Sequence, residues 1–250
     1  MSYLVDKQEL RTRAKTYSKE NYMFIYSVMK GLAVGSAAFT LNTIIQGLAN
    51  GHERFLFRLP FWVTSFAAMI MTYYAATIGA LIWGFLPTLK DIILPFILGA
   101  VEFLLFSILG GVSPDDALWH HWYLVFAIFA FVCHLILRNL YSKLKESRYS
   151  DDLPKVIEDY MKLMKGDLRD SKTSAILSVI IWAILIFWLI PNYSSWRKWH
   201  WLISLAPLGM MIFAIHKQER ARLLIANRLE DASDQTVVYK SEVTNESTKR

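Results

Sequence analysis

The residue type and position that most invite a chemical reading are those of Glu102. It is the one charge in an otherwise uncharged run from Ile92 to Ser113. A carboxylate in so apolar a stretch needs a cation, a proton or water beside it. Lys30 offers the cation, two turns into another apolar run that begins near residue 23. The first expectation is therefore a Lys30–Glu102 ion pair, or a hydrated Glu102 on a conduction path. The competing readings are that Lys30 reaches back to lipid headgroups and that Glu102 is a protonated, purely structural hydrogen-bonder.

A second pattern surrounds Lys30. Ser27, Gly31, Gly35, Ala38, Asn42 and Gln46 recur at spacings of three and four, which lays them along one stripe of a helix. Gly31, Gly35 and Ala38 are small enough for another helix to approach closely, so a packing seam is the plainer expectation. Asn42 and Gln46 need hydrogen-bond partners, so the alternative is a stripe facing a hydrated path, within one subunit or around the axis of an oligomer.

Histidines form the third set. His52, His120, His121 and His200 fall in or beside the predicted outer connections, where His120 and His121 invite an external pH-sensing role. His134, beside Cys133, stands near an inner span end and can be placed in a proton relay with Glu102. The spacings match no compact metal-ligand motif, so no metal and no cofactor is expected. The sequence holds no G-x-S-x-G, H-E-x-x-H or Walker phosphate loop. An enzyme is the less favoured class.

These residues must be positioned by elements that live in lipid. Hydrophobic residues make up 54% of the 250 and charged ones only 19%. Charge-free runs cover 31–51, 59–89, 117–137, 173–196 and 199–216. Each approaches or exceeds the roughly 18–20 residues that cross a bilayer as a helix. With the run around Glu102 they predict an all-α, polytopic membrane protein of six spans, near 23–48, 60–86, 92–112, 119–139, 173–191 and 199–217. The lengths exclude barrel strands. Pro60 opens the second span, Pro87 and Pro191 close the second and fifth, Pro114 separates the third from the fourth, and Pro95 lies early in the third. Pro207 falls inside the sixth and is expected to act as a hinge.

Lysine and arginine set the orientation. The N-terminal segment holds five, the second connection one, residues 138–172 nine and the C-terminal tail seven, against four on the alternate connections. That asymmetry predicts both termini in the cytoplasm, in a plasma or inner membrane. Seven tryptophans (Trp62, Trp119, Trp122, Trp188, Trp196, Trp199 and Trp201) fall near the predicted outer ends, as an interfacial belt would.

The cytoplasmic parts are then residues 1–22, an N-terminal helix; 141–172, a linker; and 218–250, a tail that starts helical and becomes disordered. Within the linker a short amphipathic helix is expected over 150–166, with Val156, Ile157, Tyr160, Met161 and Met164 on one face and Gly166 as its stop. Basic and acidic residues nearly cancel there (nine against seven) and in the tail (seven against six). Duplex nucleic acid is therefore not an expected partner, although residues 150–170 and 217–231 can hold a small anionic ligand or a partner protein.

The function that follows is an oligomeric channel or pore-like protein for ions or a small solute, regulated from its linker and tail. An assembly or interaction subunit is the alternative, and a membrane-embedded lipid enzyme using His134, Glu102 and Cys133 is third.

Overall fold

A computed structural model describes residues 7–82, 89–110, 121–146, 154–189 and 203–209, with a few isolated positions as far as 219. Every regular element among them is helical. Helix α1 spans Lys7–Ala49, a 3₁₀ turn Glu53–Arg58, α2 Leu59–Ile82, α3 Leu89–Ser107, α4 Trp122–Glu146 and α5 Pro154–Ile184, which ends in a π turn Leu185–Leu189. Residues 203–209 are helical again.

Four stretches are long and apolar enough to cross a membrane: Met23–Ala49, Phe55–Ala76, Trp122–Lys143 and Met161–Phe187. The apolar part of α3, Ile93–Ser107, is 15 residues, short of the roughly 20 that a full crossing takes. Large apolar side chains cover the outside, with Phe24, Phe39 and Phe187 each more than 60% exposed. A water-soluble protein hides such a surface, whereas lipid welcomes it. The described residues are those of an all-helical protein of membrane character.

Two elements run further than their sequences predict. The N-terminal helix and the first span are one helix, α1, 43 residues long. Likewise α5 passes straight through Gly166, which does not end it. A glycine costs a helix interior about 1 kcal/mol relative to alanine, and stopping there would forfeit the packing of α5 against α4 on either side. That packing is the most extensive among the described helices. Of the predicted apolar face, Met164 is buried and Met161 half-buried.

The face of α1 that enters the bundle is Tyr26, Lys30, Ala33, Ala37, Thr40, Ile44 and Gly47, a strict alternation of four and three. It packs chiefly on α3. At its far end Gly51 has φ +80°, a left-handed position that glycine fills without strain. The His52 N–H then bonds the Gly47 carbonyl and the Gly51 N–H that of Leu48, both at 3.0 Å, closing the helix as a Schellman motif. The turn drops Phe55 onto Gly47, where an added Cβ would lie 2.4 Å from the ring. Arg58 stacks over Phe55 at 4.6 Å and donates to the Leu109 carbonyl at 3.0 Å just beyond α3. Gly47→Ala is therefore expected to destabilise the chain by about 1–3 kcal/mol, measured by thermal unfolding in detergent; an unchanged transition would show that Phe55 moves aside freely.

The tryptophan belt needs correction. Trp122 is fully buried among Phe61, Tyr123 and Phe126, and its indole donates to Ser65 Oγ at 2.9 Å. Trp62 donates to the Ala37 carbonyl at 2.8 Å. Both serve the bundle interior because α1 and α2 offer acceptors there that headgroups would otherwise supply. Trp119, Trp196, Trp199 and Trp201 lie outside the described residues, as do Pro87, Pro114 and Pro191, and the side chain of Trp188 is not described.

Candidate functional site

Three helices meet around one pair of charges. Lys30 comes from the inward face of α1, Thr72 and the Met69 carbonyl from α2, and Glu102 from α3. The Lys30 ammonium bonds Glu102 Oε1, lies 2.6 Å from Thr72 Oγ1 and 3.4 Å from the Met69 carbonyl. Those three acceptors use its three hydrogens. Beneath it lies the Tyr26 ring, 5.1 Å from the nitrogen to the centroid, and Tyr73 stacks on Tyr26. Lys30 is 6% exposed and Glu102 1%, so the ammonium does not reach back to headgroups.

Glu102 is less completely served. Its Oε1 takes the lysine and lies 3.0 Å from Thr72 Oγ1, whose one hydrogen is shared with a 2.9 Å contact to the Met69 carbonyl. Its Oε2 is buried and has no hydrogen-bond partner among the described residues. Cys133 of α4 lies close enough to feel both charges.

A glycine makes the meeting possible. Gly99 is one turn before Glu102 on the same face of α3, and a Cβ there would stand 2.8 Å from the Cβ of Met29, the neighbour of Lys30. Gly99→Ala is expected to push α1 away from α3 and to cost about 1–3 kcal/mol despite its better helix propensity. Unfolding in detergent checks it; a more stable variant would mean that the two helices have room to spare.

The stripe of Ser27, Gly31, Gly35, Ala38, Asn42 and Gln46 goes elsewhere. All six are exposed, and a Cβ placed on Gly31 or Gly35 meets nothing within 4 Å. Among the described residues, then, no other helix packs on this stripe. The physical reason is the stripe on the nearly opposite face, Tyr26 to Gly47, which offers large anchors as well as small residues and takes the contact with α3. Beside the exposed stripe, α1 and α3 leave an open groove of about 410 Å³ lined by Gly35, Ser36, Phe39, Thr40, Phe103, Ser107 and Gly110. Its hydroxyls are turned to backbone carbonyls: Thr40 to Phe106 at 3.0 Å and Ser107 to Phe103 at 2.9 Å.

Among the described residues the histidines do not gather. His134 Nδ1 is 3.1 Å from the Leu168 carbonyl of α5, so that nitrogen carries the hydrogen, with Ser171 Oγ at 3.4 Å. His134 is thereby a tie between α4 and α5, and the described residues show no bond from it to Glu102 or Cys133. His121 accepts from the Trp182 indole at 3.4 Å. His120 lies outside the described residues. Among those described, no three His, Cys, Asp or Glu side chains are grouped as metal ligands.

Pro207 is buried in the segment 203–209. Lacking an N–H, it leaves the Ile203 carbonyl without a helical partner. The Tyr123 hydroxyl supplies one at 2.5 Å, so the orphan carbonyl is tied to α4. Sequence reading locates the orphan carbonyl but not its donor, which only the approach of α4 brings into range. Tyr123→Phe is expected to lower stability by about 1–2 kcal/mol, measured by detergent unfolding, and an unaltered transition would show that the carbonyl finds another donor.

No known family, no characterised protein and no solved structure matches the chain.

Proposed function

We propose that this chain is a six-span membrane protein with both ends in the cytoplasm, that it self-associates in the plasma membrane through α1, and that ions or a small solute pass along the axis so formed. The observation that carries the reading is the exposure of Asn42 and Gln46 on an otherwise apolar helix surface. A carboxamide facing lipid has no partner, and an intramembrane polar group is normally turned to a partner helix or to water. Gly31, Gly35 and Ala38 on the same stripe permit close approach of a second copy. The Lys30–Glu102 pair, closed inside the subunit, then serves as an internal fastener of α1 and not as a lining residue of the path. The first half of α5 and the residues beyond 217 act on the path from the cytoplasmic side, because α5 transmits any displacement as one continuous helix.

The assembly-subunit reading shares the same observation, with a different protein on the stripe. Reconstitution separates them. Purified chain in liposomes is expected to dissipate an imposed ion or solute gradient alone, as a particle of several copies in detergent. A monomeric particle with no flux, recovered with a stoichiometric membrane partner, would replace the channel by the assembly role.

A further inference from the structure

We propose that Glu102 Oε2 is a proton-binding position inside the bundle, so that the Lys30–Glu102 site alternates between a neutral ion pair and a singly positive state. The inference stands on the subunit interior and holds whether or not the chain conducts. Its basis is the count of donors and acceptors. The three ammonium hydrogens of Lys30 are already directed to Glu102 Oε1, Thr72 Oγ1 and the Met69 carbonyl. An anion finds no donor there. A metal cation at Oε2 would face the ammonium bound to the other oxygen of the same carboxylate. The one unused valence is the buried Oε2, which has no donor among the described residues, and a buried carboxylate oxygen is relieved by anything that brings it a hydrogen.

The smallest such ligand is the proton. In the loading step one O–H bond forms at Oε2 as one O–H bond of a hydronium ion breaks and water is left, no bond within the protein breaks, and Lys30 keeps its charge and its contact with Oε1. The ionisable groups around the pair are Lys30 and Tyr26 from α1, Cys133 from α4 and, through its stack on Tyr26, Tyr73 from α2. None of them is bonded to Oε2. The adjacent His134 is bonded through Nδ1 to the α5 carbonyl of Leu168, and the described residues show no bond from it to Glu102.

The test is an acid-minus-alkaline infrared difference spectrum of the full chain in liposomes, recorded for the wild type, Glu102→Gln and Glu102→Asp. Expected is one carboxylic-acid C=O band that appears on acidification, is lost in Glu102→Gln and is displaced in Glu102→Asp. If the glutamine variant does not fold, the displacement in the aspartate variant decides. An identical spectrum in wild type and Glu102→Asp overturns the proposal. So does a Glu102 band that is present at every pH, which would mean a permanently protonated acid. Absence of any acid-form band from Glu102 would mean that a bound water fills the valence, and overturns it equally.

Discussion

Lys30→Met is expected to lower the stability of the bundle by about 3–5 kcal/mol, Glu102→Leu by a similar amount, and the two together by far less than their sum. Each single change leaves one charge buried without its opposite. Among the described residues, in Lys30→Met the carboxylate keeps Thr72 as its donor, and in Glu102→Leu the ammonium keeps Thr72, the Met69 carbonyl and the face of the Tyr26 ring. A lone lysine or aspartate at the centre of an inserted helix costs roughly 2.5–3.5 kcal/mol on insertion scales, which is consistent with that range. The double variant removes both charges and replaces them with side chains of similar volume. Such a swap is often neutral or better, because both desolvation costs vanish with the attraction. Unfolding of all four forms in mixed detergent gives the cycle. Additive losses would mean that Lys30 and Glu102 are each held by other groups and that the pair does not fasten α1 to α3.

What was legible beforehand follows the same physics. The apolar runs, the helical class and the meeting of Lys30 with Glu102 could be read because lipid allows so few ways to hold charge and backbone. Two charges in neighbouring runs at similar depth have few partners other than each other. The rotation of α1 was not fixed by the same reasoning. Two stripes lie on nearly opposite faces of that helix at about 100° per residue, one with Gly31 and Gly35, the other with Ala33, Ala37 and Gly47. Small residues alone do not choose between them. The large anchors Tyr26 and Ile44 do, because they fill the space that small neighbours leave, and the unbroken four-three alternation from Tyr26 to Gly47 was the available signal. Trp122 was misplaced for a related reason. A tryptophan at a span end suits an interface, but Ser65, two helices away in the chain, gives its indole N–H an acceptor inside, and no local pattern announces such a long-range partner. Helix lengths were misjudged at Gly166 because propensity is local while the contact of α5 with α4 is not.

The exposed stripe of α1 supplies the sharper test of self-association, because fold and assembly are expected to move in opposite directions. In Gly31→Leu, Gly35→Leu the new side chains start from positions where a Cβ meets nothing. Each replacement removes a helical glycine, a gain of about 0.5–1 kcal/mol for the isolated subunit. A bilayer accepts leucine there without cost. The subunit is therefore expected to unfold later than the wild type. The particle, however, is expected to fall to a single copy, since branched side chains hold apart two helices that glycines allowed to touch, and flux should vanish with it. Loss of mass together with a lower unfolding transition would indicate damage to the fold and count against the reading. An unchanged particle would mean that this stripe faces lipid after all. Asn42→Leu then discriminates further. If the carboxamide bonds a neighbouring copy, its removal weakens assembly by about 0.6–2 kcal/mol, whereas a lipid-facing Asn42 replaced by leucine leaves assembly untouched and eases insertion. Mass by light scattering and flux in liposomes, measured on the same preparations, separate the two.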